Sequence, residues 1–158
     1  MRHAKSSWDS PNMADFDRNL NNRGLKNAPE MGSRLKERGL LPDIVISSPA
    51  LRAYETCRIV CSEIGYDINA IKLERSIYDG DEDEILDVIQ NLPDKYDSVM
   101  IFAHNPGITF FVNDMAGENI HNIPTCGYAE LRLEIEEWKD AAYGEAELVY
   151  YDYPKKQS

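Results

Sequence analysis

Two stretches decide how this chain folds. Asp43-Ile44-Val45-Ile46-Ser47-Ser48-Pro49 runs into a helical segment from Ala50 to Gly65, and Ser98-Val99-Met100-Ile101-Phe102-Ala103-His104-Asn105-Pro106 runs into a second one from Gly107 to Gly117. Each opens with an apolar run that does not alternate with polar residues. Such a strand is buried on both faces, as in a parallel or mixed sheet covered by helices on either side. A capping residue, Ser48 or Asn105, then precedes a proline expected at the first helical position. In the helix after the first strand, Ala50, Tyr54, Cys57, Cys61 and Ile64 recur at helical spacing and form one core-facing stripe.

Outward from these units the pattern continues. Glu30 to Arg38 reads as a helix ending at Gly39, with Pro42 just beyond. Asp83 to Leu92 reads as an amphipathic helix with Ile85, Leu86 and Ile89 inward, and the acidic run Asp79 to Glu84 suits its N-terminus. Cys126 to Glu134 and Glu145 to Tyr153 alternate as two strands, paired antiparallel through a turn near Gly144. Residues 6–25 read as one long polar loop, a length that in a compact domain marks function or mobility. Strands alternating with helices predict a single α/β domain: a three-layer α/β/α sandwich around a mixed, mostly parallel central sheet.

Composition narrows the function classes. The 158 residues suffice for one domain that folds without staples, burying roughly 70% of its unfolded surface. The net charge of −11 disfavours partners that are polyanions, so neither nucleic acid nor an anionic membrane surface is expected. Cys57, Cys61 and Cys126 form no paired framework and read as buried free thiols, which fits a reducing cytoplasm. No apolar run approaches the ~20 residues of a membrane span, and no signal peptide is evident. The charge is unevenly spread: residues 1–58 carry ten basic and seven acidic side chains, residues 59–158 seven and 21. An anion site should therefore draw its cations from the first third.

Ligands of open α/β sheets sit at the carboxyl ends of the strands. Two side chains are delivered there, Arg52 in the first helical turn after Pro49 and His104 at the end of the second strand. An arginine in a first turn opposes the helix dipole at a cost of about 0.3–1 kcal/mol, and a broken local rule often marks a site. The alternative is a solvated arginine or one paired with Glu55. Arg2-His3 at the start adds a second arginine and a second histidine. Two of each at one sheet edge suit phosphoryl transfer, which needs a nucleophile plus cations and donors around the equatorial oxygens.

Arg2-His3, Ser48-Pro49-Ala50-Leu51-Arg52-Ala53 and His104-Asn105-Pro106-Gly107, in that order, resemble the histidine phosphatase (phosphoglycerate mutase-like) superfamily. Arg2 to Ser6, together with Asp15-Phe16-Asp17-Arg18-Asn19-Leu20-Asn21-Asn22-Arg23-Gly24, is similar to its small phosphohistidine phosphatases of the SixA type. Ile77-Tyr78 and Ile123-Pro124-Thr125 also look like that family, so the resemblance spans nearly the whole chain. It implies that His3 is the nucleophile that becomes phosphorylated, that Arg2 and Arg52 hold the phosphoryl oxygens, and that His104 donates to the transferring group. Arg18 and Asn105 are implied as substrate contacts at the rim. No metal or other cofactor is implied, and His121 reads as a surface residue.

Three features depart from the family or qualify the resemblance. Ala103 stands where the family often has glycine. The strand that should lead into Arg2-His3 is missing, so part of the first strand is expected upstream, in an apolar, β-rich segment beginning about six residues before Met1. Glu74 is the one candidate for an acid that protonates the leaving group, with an exposed strand-end glutamate as the plainer reading. The expected activity is removal of phosphate from protein phosphohistidine through a phosphohistidine enzyme intermediate. A small-molecule phosphomonoesterase or mutase, in which Glu74 would matter, and a non-catalytic phosphate-binding module are the alternatives. The partner is accordingly a phosphohistidine-bearing protein or a small phosphorylated substrate.

Overall fold

The computed structural model describes residues 1–8 and 12–156. Three parallel strands, β1 (Ile44–Ser47), β2 (Lys72–Leu73) and β3 (Val99–Phe102), lie in the order β2-β1-β3. β1 and β3 align from Ile44 opposite Val99 to Ser47 opposite Phe102. β4 (Tyr128–Leu133) and β5 (Ala146–Asp152) form an antiparallel pair. The opening residues join the two groups. Ala103 N–H donates to the Met1 carbonyl, His3 N–H to the Ala103 carbonyl, Arg2 N–H to Gly127 and Cys126 N–H to His3.

Strand side chains explain the layers. Val45, Met100 and Phe102 pack with Met31 and Leu35 of α1 (Asn22–Glu37) and Cys57, Val60 and Cys61 of α2 (Leu51–Ile64). Alternate residues point the other way. Ile44 and Ile46 meet Leu92, while Ile101 packs near α4 (Glu82–Gln90) and α5 (Gly107–Ala116). Both faces are covered, which is why neither strand shows a polar side. A short helix, α3 (Arg75–Asp79), links β2 to α4, whose N-terminus is closed by a reciprocal capping box between Asp81 and Glu84. The fold is thus the expected α/β sandwich with a mostly parallel sheet. No helix among the described residues is long and apolar enough to cross a membrane.

Two expectations need correction. Residues 6–25 are not one loop: a 3₁₀ turn spans Asp15–Asp17, Ser6 bridges Leu20, and α1 already begins at Asn22. Residues 9–11 of that stretch lie outside the described residues. The polar opening of α1 and Pro29 inside it mask the helix in the sequence, yet Asn21 caps it by accepting from Gly24 N–H. Gly24 is required there, since a Cβ at this position would come within 2.2 Å of the Lys5 carbonyl oxygen. Nor do Ser48 and Asn105 cap as expected. The helices start at Leu51 and Gly107 after Ala50 and Pro106, which make no side-chain caps. The Ser48 hydroxyl instead accepts from Ala50 N–H and meets His104, while Asn105 accepts from the Thr109 hydroxyl and donates to the 122–123 segment.

Beyond the short contact made by residues 1–3, β3 and β4 separate around a groove of about 560 Å³. Met1, Val99, Ile101, Leu131, Leu133 and Trp138 line it. The Met1 terminal nitrogen is fully buried beside it and donates to the Ile101 carbonyl at 2.6 Å. Burial lowers that amine from 8.0 to about 5, so it is neutral at pH 7. An apolar strand laid beside Met1 would cover the apolar side chains that line this groove. Adding about five apolar, β-favouring residues before Met1 is expected to raise the melting temperature by at least about 3–5 °C. Calorimetry of the two forms checks this, and equal melting temperatures would show that the groove gains nothing from a strand.

Candidate active site

A smaller cavity of about 340 Å³, not the larger groove, gathers the chemistry. It lies at the carboxyl ends of the parallel strands. His3 enters it because residues 1–3 pair with Ala103, the residue before His104. The two rings stand with centroids 5.3 Å apart, tilted by 50°. Arg52 reaches the same cavity from the first turn of α2, and Arg2 from the opening segment. Thr56 ties the pieces together: its hydroxyl donates to the Arg52 carbonyl and accepts from Ala4 N–H.

The protonation of His3 follows from its neighbours. Its Nδ1 lies 2.7 Å from the Ala4 carbonyl, which can only accept, so Nδ1 carries the proton and Nε2 the lone pair. Burial pushes the ring down to about 3. The Ala4 hydrogen bond opposes this, while His104, Arg52 and Arg2 reinforce it. His104 is likewise lowered to about 4, by burial first and then by Arg52. Both rings are neutral at pH 7. A neutral imidazole with a free Nε2 is a competent nucleophile.

Asp15 organises the cations. Arg52 donates through one terminal nitrogen to the Asp15 backbone carbonyl at 2.8 Å and through the other to its carboxylate at 3.1 Å. Arg18 donates Nε to the same carboxylate at 3.1 Å and a terminal nitrogen to Ser6 Oγ at 2.6 Å. Its guanidinium also lies 3.6 Å from the Trp8 ring centroid. The Tyr78 hydroxyl adds a third donor to Asp15 at 2.8 Å. Desolvation pushes the Asp15 carboxyl up, but Tyr78, Arg52 and Arg18 together hold it at about 2. Arg52 therefore pairs with Asp15 rather than Glu55, which binds Arg58 instead.

Arg2, His3, Arg18, Arg52, His104 and Asn105 all line this cavity, together with Lys5, which adds a fourth cation. Asn105 makes its bonds to protein: its amide donates to Asn122 and Ile123, and its oxygen accepts from Thr109. The Ile123 carbonyl also receives Arg2, so Asn105 braces the loop that holds Arg2. Glu74 is not part of the lining. It precedes α3 and accepts from the Ser76 hydroxyl at 3.0 Å. His121 is exposed. Sequence reasoning gave no part in the site to Asp15, Ser6 or Tyr78, and read Ser48 only as a helix cap. The signal for Asp15 was present, since the family-like motif that contains Arg18 begins at that residue.

A sequence profile of the histidine phosphatase superfamily (branch 1) matches residues 1–77, the part that supplies Arg2, His3 and Arg52. The chain belongs to the histidine phosphatase superfamily. An uncharacterised chloroplastic protein of Arabidopsis thaliana is 30% identical over 152 residues, covering 89% of this chain and 68% of that one. A 2,3-bisphosphoglycerate-dependent phosphoglycerate mutase of Parvibaculum lavamentivorans is 38% identical over 77 residues, 47% of this chain and 37% of the mutase. Among solved structures, a provisionally named phosphohistidine phosphatase SixA of Agrobacterium tumefaciens superposes with a TM-score of 0.83 at 28% identity. That match covers 97% of this chain and 94% of the other.

The histidine shifts make a linked prediction. A ring whose folded value lies below its unfolded 6.5 binds fewer protons when folded. Its contribution is complete above about pH 6.5 and is lost as pH falls toward 4 and then 3. Stability should therefore fall with pH across that window. His3 and His104 ring signals in NMR should remain those of neutral imidazole down to about pH 5. Titration of either ring near 6.5 would contradict the burial argument.

Proposed function

We propose that this superfamily member is a metal-independent phosphohistidine phosphatase. The carrying observation is the absence of a usable acid. Among the described residues lining the cavity, Asp15 is the only carboxylate. Held at about 2 by its hydrogen bonds, it is ionised at neutral pH and has no proton to give. An alkoxide leaving group needs such a proton. The imidazole of phosphohistidine can leave as a neutral ring already protonated on its other nitrogen. The full-length likeness to the provisionally named phosphohistidine phosphatase supports the same reading.

In this mechanism His3 Nε2 attacks phosphorus as the substrate P–N bond breaks and the substrate imidazole departs. Arg2 and Arg52 balance the charge on the equatorial oxygens, and the neutral His104 ring donates a hydrogen bond to them. Water then attacks the phosphorus on His3, the P–Nε2 bond breaks with its electron pair returning to Nε2, and the water protons stay on the phosphate oxygens of the departing dihydrogen phosphate. Arg18 and Lys5 widen the positive field at the mouth, where an anionic substrate is drawn in.

His3→Ala is expected to abolish turnover, and acid-free mass spectrometry of the wild type during turnover should find phosphate on His3. Arg52→Ala should weaken vanadate binding at least about tenfold, the loss of one charge-assisted contact. Saturating chelator should leave the rate unchanged. A phosphorylated histidine protein should be hydrolysed in preference to aryl phosphate or phosphoserine. A preference for phosphomonoesters, lost in Glu74→Gln, would favour a phosphomonoesterase or mutase. Binding of phosphate with no turnover would indicate a regulatory module.

A further inference from the structure

We infer that Ser48 is a positioning residue that fixes the tautomer of His104, so that Nδ1–H is the atom offered to the phosphoryl group. Ser48 is fully buried at the end of β1, and its backbone N–H donates to the Phe102 carbonyl. Its hydroxyl has two partners. Ala50 N–H lies 3.2 Å from Oγ and can only donate. His104 Nε2 lies 2.7 Å away. If Nε2 carried the ring proton, Oγ would accept twice and its own buried proton would have no acceptor among these neighbours. If the hydroxyl donates to Nε2, every group of the triad is matched. The neutral ring then bears its single proton on Nδ1.

Nδ1 of His104 is itself buried and has no partner among the described residues. A buried N–H without an acceptor is costly, so this atom is suited to donate to an oxyanion brought against the ring. His104 lines the cavity beside His3, where a phosphoryl oxygen would supply that acceptor. The opposite tautomer would present a lone pair to an anion and repel it. The structural half of this inference is independent of substrate. Its consequence for rate rests on the phosphatase reading above.

The test is ¹⁵N NMR of the ligand-free protein at neutral pH, with His104 assigned by comparison with His104→Gln. Nδ1 is expected to appear protonated and Nε2 unprotonated. In Ser48→Ala the preference should shift toward protonated Nε2, with kcat reduced about 10²-fold, the effect typical of losing one oxyanion donor. KM should change far less. Ser48→Thr, which keeps the hydroxyl, should restore both the tautomer and most of the rate. A wild-type ring protonated on Nε2 would overturn the inference, whether or not Ser48→Ala folds. An unchanged tautomer in a folded Ser48→Ala would do the same. If the wild type hydrolyses no phosphate compound while its Nδ1 is protonated, the phosphatase reading fails and the Ser48 assignment stands.

Discussion

Two backbone hydrogen bonds, from Ala103 N–H to Met1 and from His3 N–H to Ala103, set the distance on which the site depends. Neighbouring strands lie about 4.8 Å apart, so residues paired across them bring their successors into contact. That spacing turns two histidines 101 positions apart in sequence into rings with centroids 5.3 Å apart. Each bond contributes only about 0.5–1.5 kcal/mol net, yet a one-residue slip would turn His3 to the opposite face. Cys126 N–H to the His3 carbonyl and Ala4 N–H to Thr56 pin the segment from two other directions. His3, the proposed nucleophile, is positioned by backbone pairing, and side chains only refine it.

Burial then does chemical work. Both histidines lie among arginines in a low-dielectric wall, where desolvation and like charge each disfavour the imidazolium. The cavity keeps its positive charge in guanidiniums, which cannot be deprotonated, and holds in His3 a ring that stays neutral with its lone pair on Nε2. Asp15, the one carboxylate among the described lining residues, keeps Arg18 and Arg52 from repelling one another out of place. It is attached through Arg52 to the first turn of α2, where an unpaired cation would oppose the helix dipole.

Much of this was legible in the sequence because it rests on local rules. The apolar runs 44–46 and 99–102 could only be strands covered on both faces. Arg52 stood out because its position is electrostatically wrong for an isolated helix. What stayed hidden depends on contacts across the chain. Asp15 looks like any polar loop residue until Tyr78, Arg18 and Arg52 converge on it from separate segments. Ser48 carries the sequence signature of a cap, and only its distance to His104 gives it another role. Asn105 sits in a family motif, yet its hydrogen bonds brace the 122–123 loop. The start of α1 was obscured because tertiary contacts with Lys5, rather than an apolar stripe, hold its first turn.

The clamp on the cations also constrains which reactions the cavity can run. A carboxyl that accepts from two guanidiniums and a phenol is stabilised as the anion, and every bond that holds Arg52 and Arg18 pulls its proton affinity down. Asp15 therefore cannot fix the arginines and also serve as general acid. A site that needed an acid would have to bring a second carboxyl into a low-dielectric region away from these guanidiniums, where burial raises its pKa. Glu74, hydrogen-bonded to Ser76 and outside the lining, does not occupy such a place. Strong cation positioning, with no second carboxylate among the described residues that line the cavity, is the feature on which the proposed preference for a phosphoramidate rests.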